Sequence, residues 1–252
     1  MIFIAALSKE ILEQRRTKKL FIATIVLILF GMTSPLLAKM TPQIITMVPG
    51  GEALGAIIPT PTINDAIAQY IKNTTQFGIL LALIFSMGSV CQEKEKGTAA
   101  MILSKPMPRS IFILAKFTAL AMTFVLPIFL SGLVCYYYTY LLFGQLEMGP
   151  WLMANGLIAL YILVFIAVTL FFSAVTGNQY AAIGLSFCTL IFFSVVAGLP
   201  KMANALPDSL IQKANLLARG ETTDLWLGLW VSFIVIFVSL VGACGFYRKR
   251  EI

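Results

Sequence analysis

The chain has no histidine at all, which removes the commonest general base and the commonest metal ligand. Charge is also scarce. Only 12% of the residues are Asp, Glu, Lys or Arg, against about 25% in an ordinary soluble domain. No charged residue falls in the middle of a long apolar run, and such residues are what mark proton relays and ion paths in membrane proteins. A proton-coupled carrier and a channel with a charged filter are therefore disfavoured. An intramembrane serine protease needs a His or Lys base, and an aspartyl one needs two membrane carboxylates; neither set is available. The four cysteines (Cys91, Cys135, Cys188 and Cys244) form no CxxC and lie in or beside apolar runs. They read as small buried hydrophobes, with no disulfide or zinc site implied. No GxxxxGK[ST] loop occurs, so nucleotide is not bound in that way. Any ATP-driven work must draw on another chain.

What is present is apolar length. The 252 residues are 59% hydrophobic, with a mean hydropathy of +0.91. The apolar blocks are long enough to cross a hydrocarbon layer, which takes about 20 helical residues. They are continuous rather than alternating, so they are helices and not barrel strands. The expected fold is all-α and polytopic, a single permease domain over 1–252 with six transmembrane helices. Residues 1–19 form an amphipathic helix in the interface plane. Ile4, Leu7 and Ile11 line one face, with Lys9, Glu10, Glu13, Arg15 and Arg16 on the other. Spans follow at 20–38, 77–91, 111–143, 151–175, 181–199 and 226–246. The first run is longer than the core of a secretory signal, which spans roughly 7–15 residues, so it is read as an uncleaved span. Pro127 predicts a kink in the third span. Residues 39–73 are rich in Pro and Gly and are placed outside, with Asn64 capping a helix that leads into the second span. A second outer segment, 200–224, holds a short amphipathic helix capped by Asp208.

Lys and Arg placement sets the orientation. Of the 18 basic residues, 13 lie before Leu20, between Gln92 and Lys116, or after Phe246. An even number of spans puts all three segments on one side. Both termini and the 92–110 loop are therefore expected in the cytoplasm, with the chain crossing the plasma membrane.

That loop, QEKEKGTAAMILSKPMPRS, is the densest cluster of charge in the sequence. Signs alternate from Glu93 to Lys96, followed by Gly97 and Thr98. Ala99 to Leu103 is a short apolar turn or two, and Lys105 before Pro106 ends it. Pro106 and Pro108 stiffen the return, and Ser110 is suited to cap the third span. A charged loop on the basic side of a membrane needs no special explanation. The Gly-Thr pair, the apolar turn and the paired prolines do.

In this order the residues resemble the cytoplasmic loop of type-2 ATP-binding-cassette permeases. That loop reads E-x-E-x-G-T, then L-L-x-x-P, then S-R, with a lysine opening the next helix. Glu93, Glu95, Gly97, Thr98, Pro106, Arg109 and Lys116 stand at matching positions. The upstream PTPTINDAIAQY and the overall layout are similar too, whereas Ala99–Ala100 departs from the Leu and Glu of many members. The resemblance implies a membrane subunit of an ATP-driven exporter, working as a homo- or heterodimer of six-span halves. It implies no catalytic residue and no cofactor or metal on this chain, since ATP and magnesium belong to a separate cytoplasmic ATPase. Glu93 and Glu95 would meet basic or polar groups of that ATPase, Gly97, followed by Thr98 of the same docking segment, would permit close approach, and Met101, Ile102 and Leu103 would supply apolar contact. Pro106 and Arg109 would close the coupling loop. Members of such families move lipids, glycans, peptides or drugs, and the uncharged spans favour an amphipathic or hydrophobic cargo. A different class, a membrane scaffold or sensor signalling through the same loop, is distinguished by the absence of ATP-dependent substrate movement. The four tyrosines Tyr136, Tyr137, Tyr138 and Tyr140 are candidates for the pathway or for an interfacial belt.

Overall fold

The computed structural model describes residues 2–47, 60–95, 108–144, 146–199 and 204–249, with the backbone alone at 93–95, 109, 248 and 249. These residues contain eight helices and no strand. In chain order they are α1 (Ile2–Arg16), α2 (Lys19–Thr46), α3 (Ile63–Glu95), α4 (Arg109–Phe143), α5 (Met148–Val175), α6 (Gln179–Ala197), α7 (Ser209–Ala218) and α8 (Trp226–Lys249). Six of them are long and apolar enough to cross a membrane. Helix α1, the last turns of α3, the start of α4 and the end of α8 lie at one end of the bundle, called here the terminal end.

Several helices outrun the apolar blocks that announce them. α2 continues through Pro42 to Thr46, taking Lys39 into helix, where its ammonium caps the Leu142 carbonyl of α4 at 3.2 Å. α3 begins at Ile63, well before the apolar run at Phe77. Its cap is Thr62, not the expected Asn64. The Thr62 amide and hydroxyl both donate to Asp65 Oδ2 at 2.8 Å, closing the first turn from one residue earlier. Helix α4 passes through Pro127 as one element of 35 residues. The cap at its start is Pro108 rather than Ser110, which sits inside the first turn. The Pro108 ring fixes its φ at −58°, with ψ at 132° outside the helical region, so the helix begins after it.

Helix α5 is the axis of the fold. Of its most apolar stretch 72% is buried inside the chain, against 11% for α6. With lipid on the outside as apolar as the helices themselves, such packing rests on close backbone approach and interhelical hydrogen bonds. Both are present. A Cβ on Gly31 of α2 would stand 2.5 Å from the Ser131 carbonyl oxygen of α4. Nearby, Ser131 Oγ donates to the Leu27 carbonyl at 2.6 Å. Farther along, Tyr70 of α3 donates to Asn155 Oδ1 of α5 at 2.7 Å. Asn155 Nδ2 bonds the Trp151 carbonyl at 2.9 Å, and Trp151 Nε1 bonds the Gly132 carbonyl of α4 at 2.9 Å. This buried knot joins α3, α4 and α5 away from the terminal end.

Two segments depart from their expected surroundings. In α1, Glu10 and Gln14 are buried against the bundle while Ile2, Phe3, Ile4 and Leu12 face outward. Glu10 therefore does not share the water-facing side with Lys9 and Glu13, as the sequence pattern suggests. It packs inward because a cation waits for it on α4. The second segment is α7. It belongs to the stretch read as an outer loop, yet its first residues lie against the middle of α5: Asp208 accepts a short hydrogen bond from Tyr161. Tyr161 is 13 residues past Met148, or about 20 Å along the axis at 1.5 Å per residue. Asp208 does not cap α7 with its own side chain, because that side chain is engaged by Tyr161. The carboxy-terminal end of α7 meets Thr62, Ile63 and Glu147 at the far end of the bundle, around a shared cavity. Helix α7 thus rises from mid-depth to the far surface. Irregular backbone at such depth is tolerated where protein covers it. Leu210, Ala214 and Ala218 supply the apolar side that makes this burial possible.

Candidate functional site

The structure supports Glu93 and Glu95 on helix rather than in a loop: α3 ends at Glu95, so both fall in its last turn. Arg109 is the first residue of α4. Gly97, Thr98, Met101, Ile102, Leu103 and Pro106 lie outside the described residues. What can be built from atoms is how the two helices that enter and leave this segment are held.

The end of α3 is fastened to three neighbours. Lys19, at the start of α2, donates to the Phe85 carbonyl at 3.2 Å. Ser173 of α5 is inserted into the last turns: its Oγ donates to the Met87 carbonyl at 2.8 Å and receives the amides of Val90 and Cys91 at 3.3 and 3.2 Å. Cys91 returns the bond, its thiol reaching the Ser173 carbonyl at 3.0 Å. One residue on, Gln92 Nε2 bonds Gln179 Oε1 at 2.7 Å, at the first residue of α6. A displacement of this end of α3 is therefore passed to α5 and α6.

The start of α4 is fastened differently. Lys116 and Glu10 form an ion pair at 3.1 Å, with side chains 2% and 6% exposed. Lys9 adds a second cation to the same carboxylate at 3.0 Å. The Lys116 ammonium also stands 4.9 Å from the Phe112 ring centre, and that ring stacks on Tyr247 of α8. The start of α4 thus holds α1 by charge and α8 by aromatic contact. Burial of an ion pair is favourable only with such supplementary partners.

A second feature lies deeper. Between α3, α5 and α6 runs a groove of about 740 Å³, lined by Ile79, Leu83, Ile183 and Phe187 with a few polar groups, Thr75, Gln76, Tyr161 and Ser194. Its size and lining suit a small amphipathic molecule. The Thr75 hydroxyl is buried without a hydrogen-bond partner. Tyr161 ties the groove wall to Asp208. Burial raises the Asp208 carboxyl above the ordinary carboxylate range, and the Tyr161 hydrogen bond opposes that shift. The expected tyrosine cluster does not line this groove. Tyr137 and Tyr140 are exposed near the end of α4. Among the described residues no group of three or more His, Cys, Asp or Glu is arranged to hold a metal.

Comparison with known proteins agrees with this architecture. A family model described as "ABC-2 family transporter protein" matches residues 4–218. The chain belongs to the ABC-2 transporter family. It is also similar to the uncharacterized transmembrane protein YxlG of Bacillus subtilis (strain 168), 25% identical over 256 residues covering 99% of this chain and 98% of that protein. In this ABC-2 protein, then, the six apolar helices are those of a multi-pass membrane transporter component. The family match extends over α1, which begins it, and over α7, which ends it.

Sequence reasoning missed Ser173, Glu10 and the Tyr161–Asp208 pair. Serine in an apolar run gives no signal of its partner. Glu10 did carry one, since Gln14 stands four residues on and makes a polar stripe on the side that turns inward.

Proposed function

We propose that this chain is the membrane subunit of an ATP-driven exporter, paired with a second such subunit, and that a separate cytoplasmic ATPase docks on residues 92–105. The observation that carries the proposal is the fastening of the two helices that flank this segment. One end is hydrogen-bonded to α5 and α6, the other ion-paired to α1. A push on 96–108 is not absorbed by slack at either helix end. It reaches α3 and α6, the two walls of the groove. The groove favours transport over a purely signalling scaffold, because a relay of force alone has no use for an apolar recess of drug-like size.

In this reading Glu93, Glu95, Gly97, Thr98, Met101, Ile102, Leu103, Pro106 and Arg109 form the docking and coupling segment, and MgATP is bound by the partner. The charge distribution supports termini in the cytoplasm and residence in the plasma membrane. The test replaces Glu95 with Trp and Gly97 with Phe in the full chain, followed by co-purification of the ATPase and ATP-dependent uptake into inverted vesicles. Loss of both is expected. Assembly and transport at wild-type levels in both variants refutes the assignment.

A further inference from the structure

The groove between α3 and α6 has no charged residue in its lining, but it is not electrically neutral. Tyr161 forms part of its wall and donates its phenolic proton to Asp208 Oδ1. A phenol whose hydrogen is committed in this way has only lone pairs left to offer. Toward the groove it is an acceptor, made more electron-rich by the carboxylate behind it. The second Asp208 oxygen is buried with no hydrogen-bond partner, and no Lys or Arg forms an ion pair with Asp208 among the described residues. Thr75, which also lines the groove, has its hydroxyl buried and without a hydrogen-bond partner. A carboxylate without an ion-pair partner directly behind the Tyr161 wall of an otherwise apolar recess matches a ligand with an apolar body and a positively charged head. An anionic head would meet the same lone pairs and carboxylate with repulsion, in a medium that screens little.

The geometry points to Tyr161 and Asp208 as a specificity-determining pair that makes this groove select amphipathic ammonium compounds over their neutral and anionic counterparts. This rests on the reading of the chain as a transporter subunit, but it is tested without the ATPase, so the two can fail separately.

The probes are three pyrene derivatives with one apolar body: aminomethylpyrene (an ammonium at neutral pH), hydroxymethylpyrene and pyrene carboxylate. Binding is measured by fluorescence anisotropy to the full chain in zwitterionic nanodiscs, with empty nanodiscs subtracted. The wild type is expected to favour the ammonium over the carboxylate by roughly tenfold or more, the range of a hydrogen bond to a charged group. Asp208→Asn should erase that preference while leaving hydroxymethylpyrene binding within about twofold, since the effect of one distant charge on a neutral ligand is small. Tyr161→Phe, which keeps the ring, should weaken the ammonium selectively. Ser194→Ala, in the same wall, should leave the preference intact. Equal binding of ammonium and carboxylate, absence of binding by all three, or an equal loss of all three in both variants overturns the proposal. The last result would make the pair an anchor for α7 and nothing more.

Discussion

The ion pair between Lys116 and Glu10 offers a test in which single and double replacements move in opposite directions. Its atoms are 3.1 Å apart and both side chains are almost wholly buried. At an effective dielectric of about 20, two unit charges at that separation attract by roughly 5 kcal/mol. Removing each ion from water costs several kcal/mol, so the pair as a whole contributes little net stability over apolar residues of similar volume. Deleting one member is different, because it leaves the other charge buried. The expected cost is about 3–5 kcal/mol. Lys116→Met leaves Glu10 with Lys9 at 3.0 Å, and Glu10→Leu takes this carboxylate from the Lys116 ammonium above the Phe112 ring. The double replacement Glu10→Leu with Lys116→Met should recover most of the loss. The assay is SDS titration in mixed micelles, followed by tryptophan fluorescence, for wild type, singles and double. A double variant as unstable as the sum of the singles would refute the reasoning, because the two charges would then not be each other's partners in energy.

Three further outcomes follow from other contacts. Ser173→Ala removes a hydroxyl that serves Met87, Val90 and Cys91. Each lost hydrogen bond costs about 0.5–1.5 kcal/mol, so amide exchange at 87–95 should accelerate selectively, as read by mass spectrometry. Gly132→Ala places a Cβ 2.5 Å from Asn155 Oδ1. Overpacking should destabilise by about 1–3 kcal/mol and shift the emission of Trp151 in a background with Trp226 and Trp230 replaced by Phe. For Asp208 the sign runs opposite to that of an ordinary paired carboxylate. Its folded-state pKa is raised above the usual 3.8, so the folded chain holds the proton more tightly than the unfolded one. Its contribution to stability is full at low pH and is lost as pH rises from about 3.8 through the raised value. SDS midpoints across this window should decline in wild type relative to Asp208→Asn.

The helices of this protein were readable from composition, because continuous apolar blocks have one solution in lipid. Helix ends were less so. The capping pair Thr62 and Asp65 stands at capping-box spacing, a local signal that the choice of Asn64 passes over. The rotation of α1 was hidden because its buried carboxylate needs a lysine 106 positions away. Burial of α7 was hidden for a related reason. SLIQKANLLA has an apolar side that suits an interface as well as a protein surface, and only the Tyr161–Asp208 bond distinguishes the two. The segment from Glu93 to Arg109 was the most conspicuous in the sequence, and its flanking helix ends bear the fastenings described above. At the end of α3 those fastenings are made by Ser173, Cys91 and Lys19, which no motif names, whereas at the start of α4 the fastening is Lys116, the lysine of the motif.

The depth of Asp208 also dictates an order of assembly. A carboxylate carried alone into hydrocarbon is costly. The partners that make this depth tolerable, Tyr161 on α5 and the neighbouring wall of α3, come earlier in the chain. The depth of Asp208 is therefore tolerable only where α3 and α5 are already packed beside it. The arrival of Asp208 there is a tertiary event, after the long helices have crossed, and completes the side of the groove that Tyr161 lines.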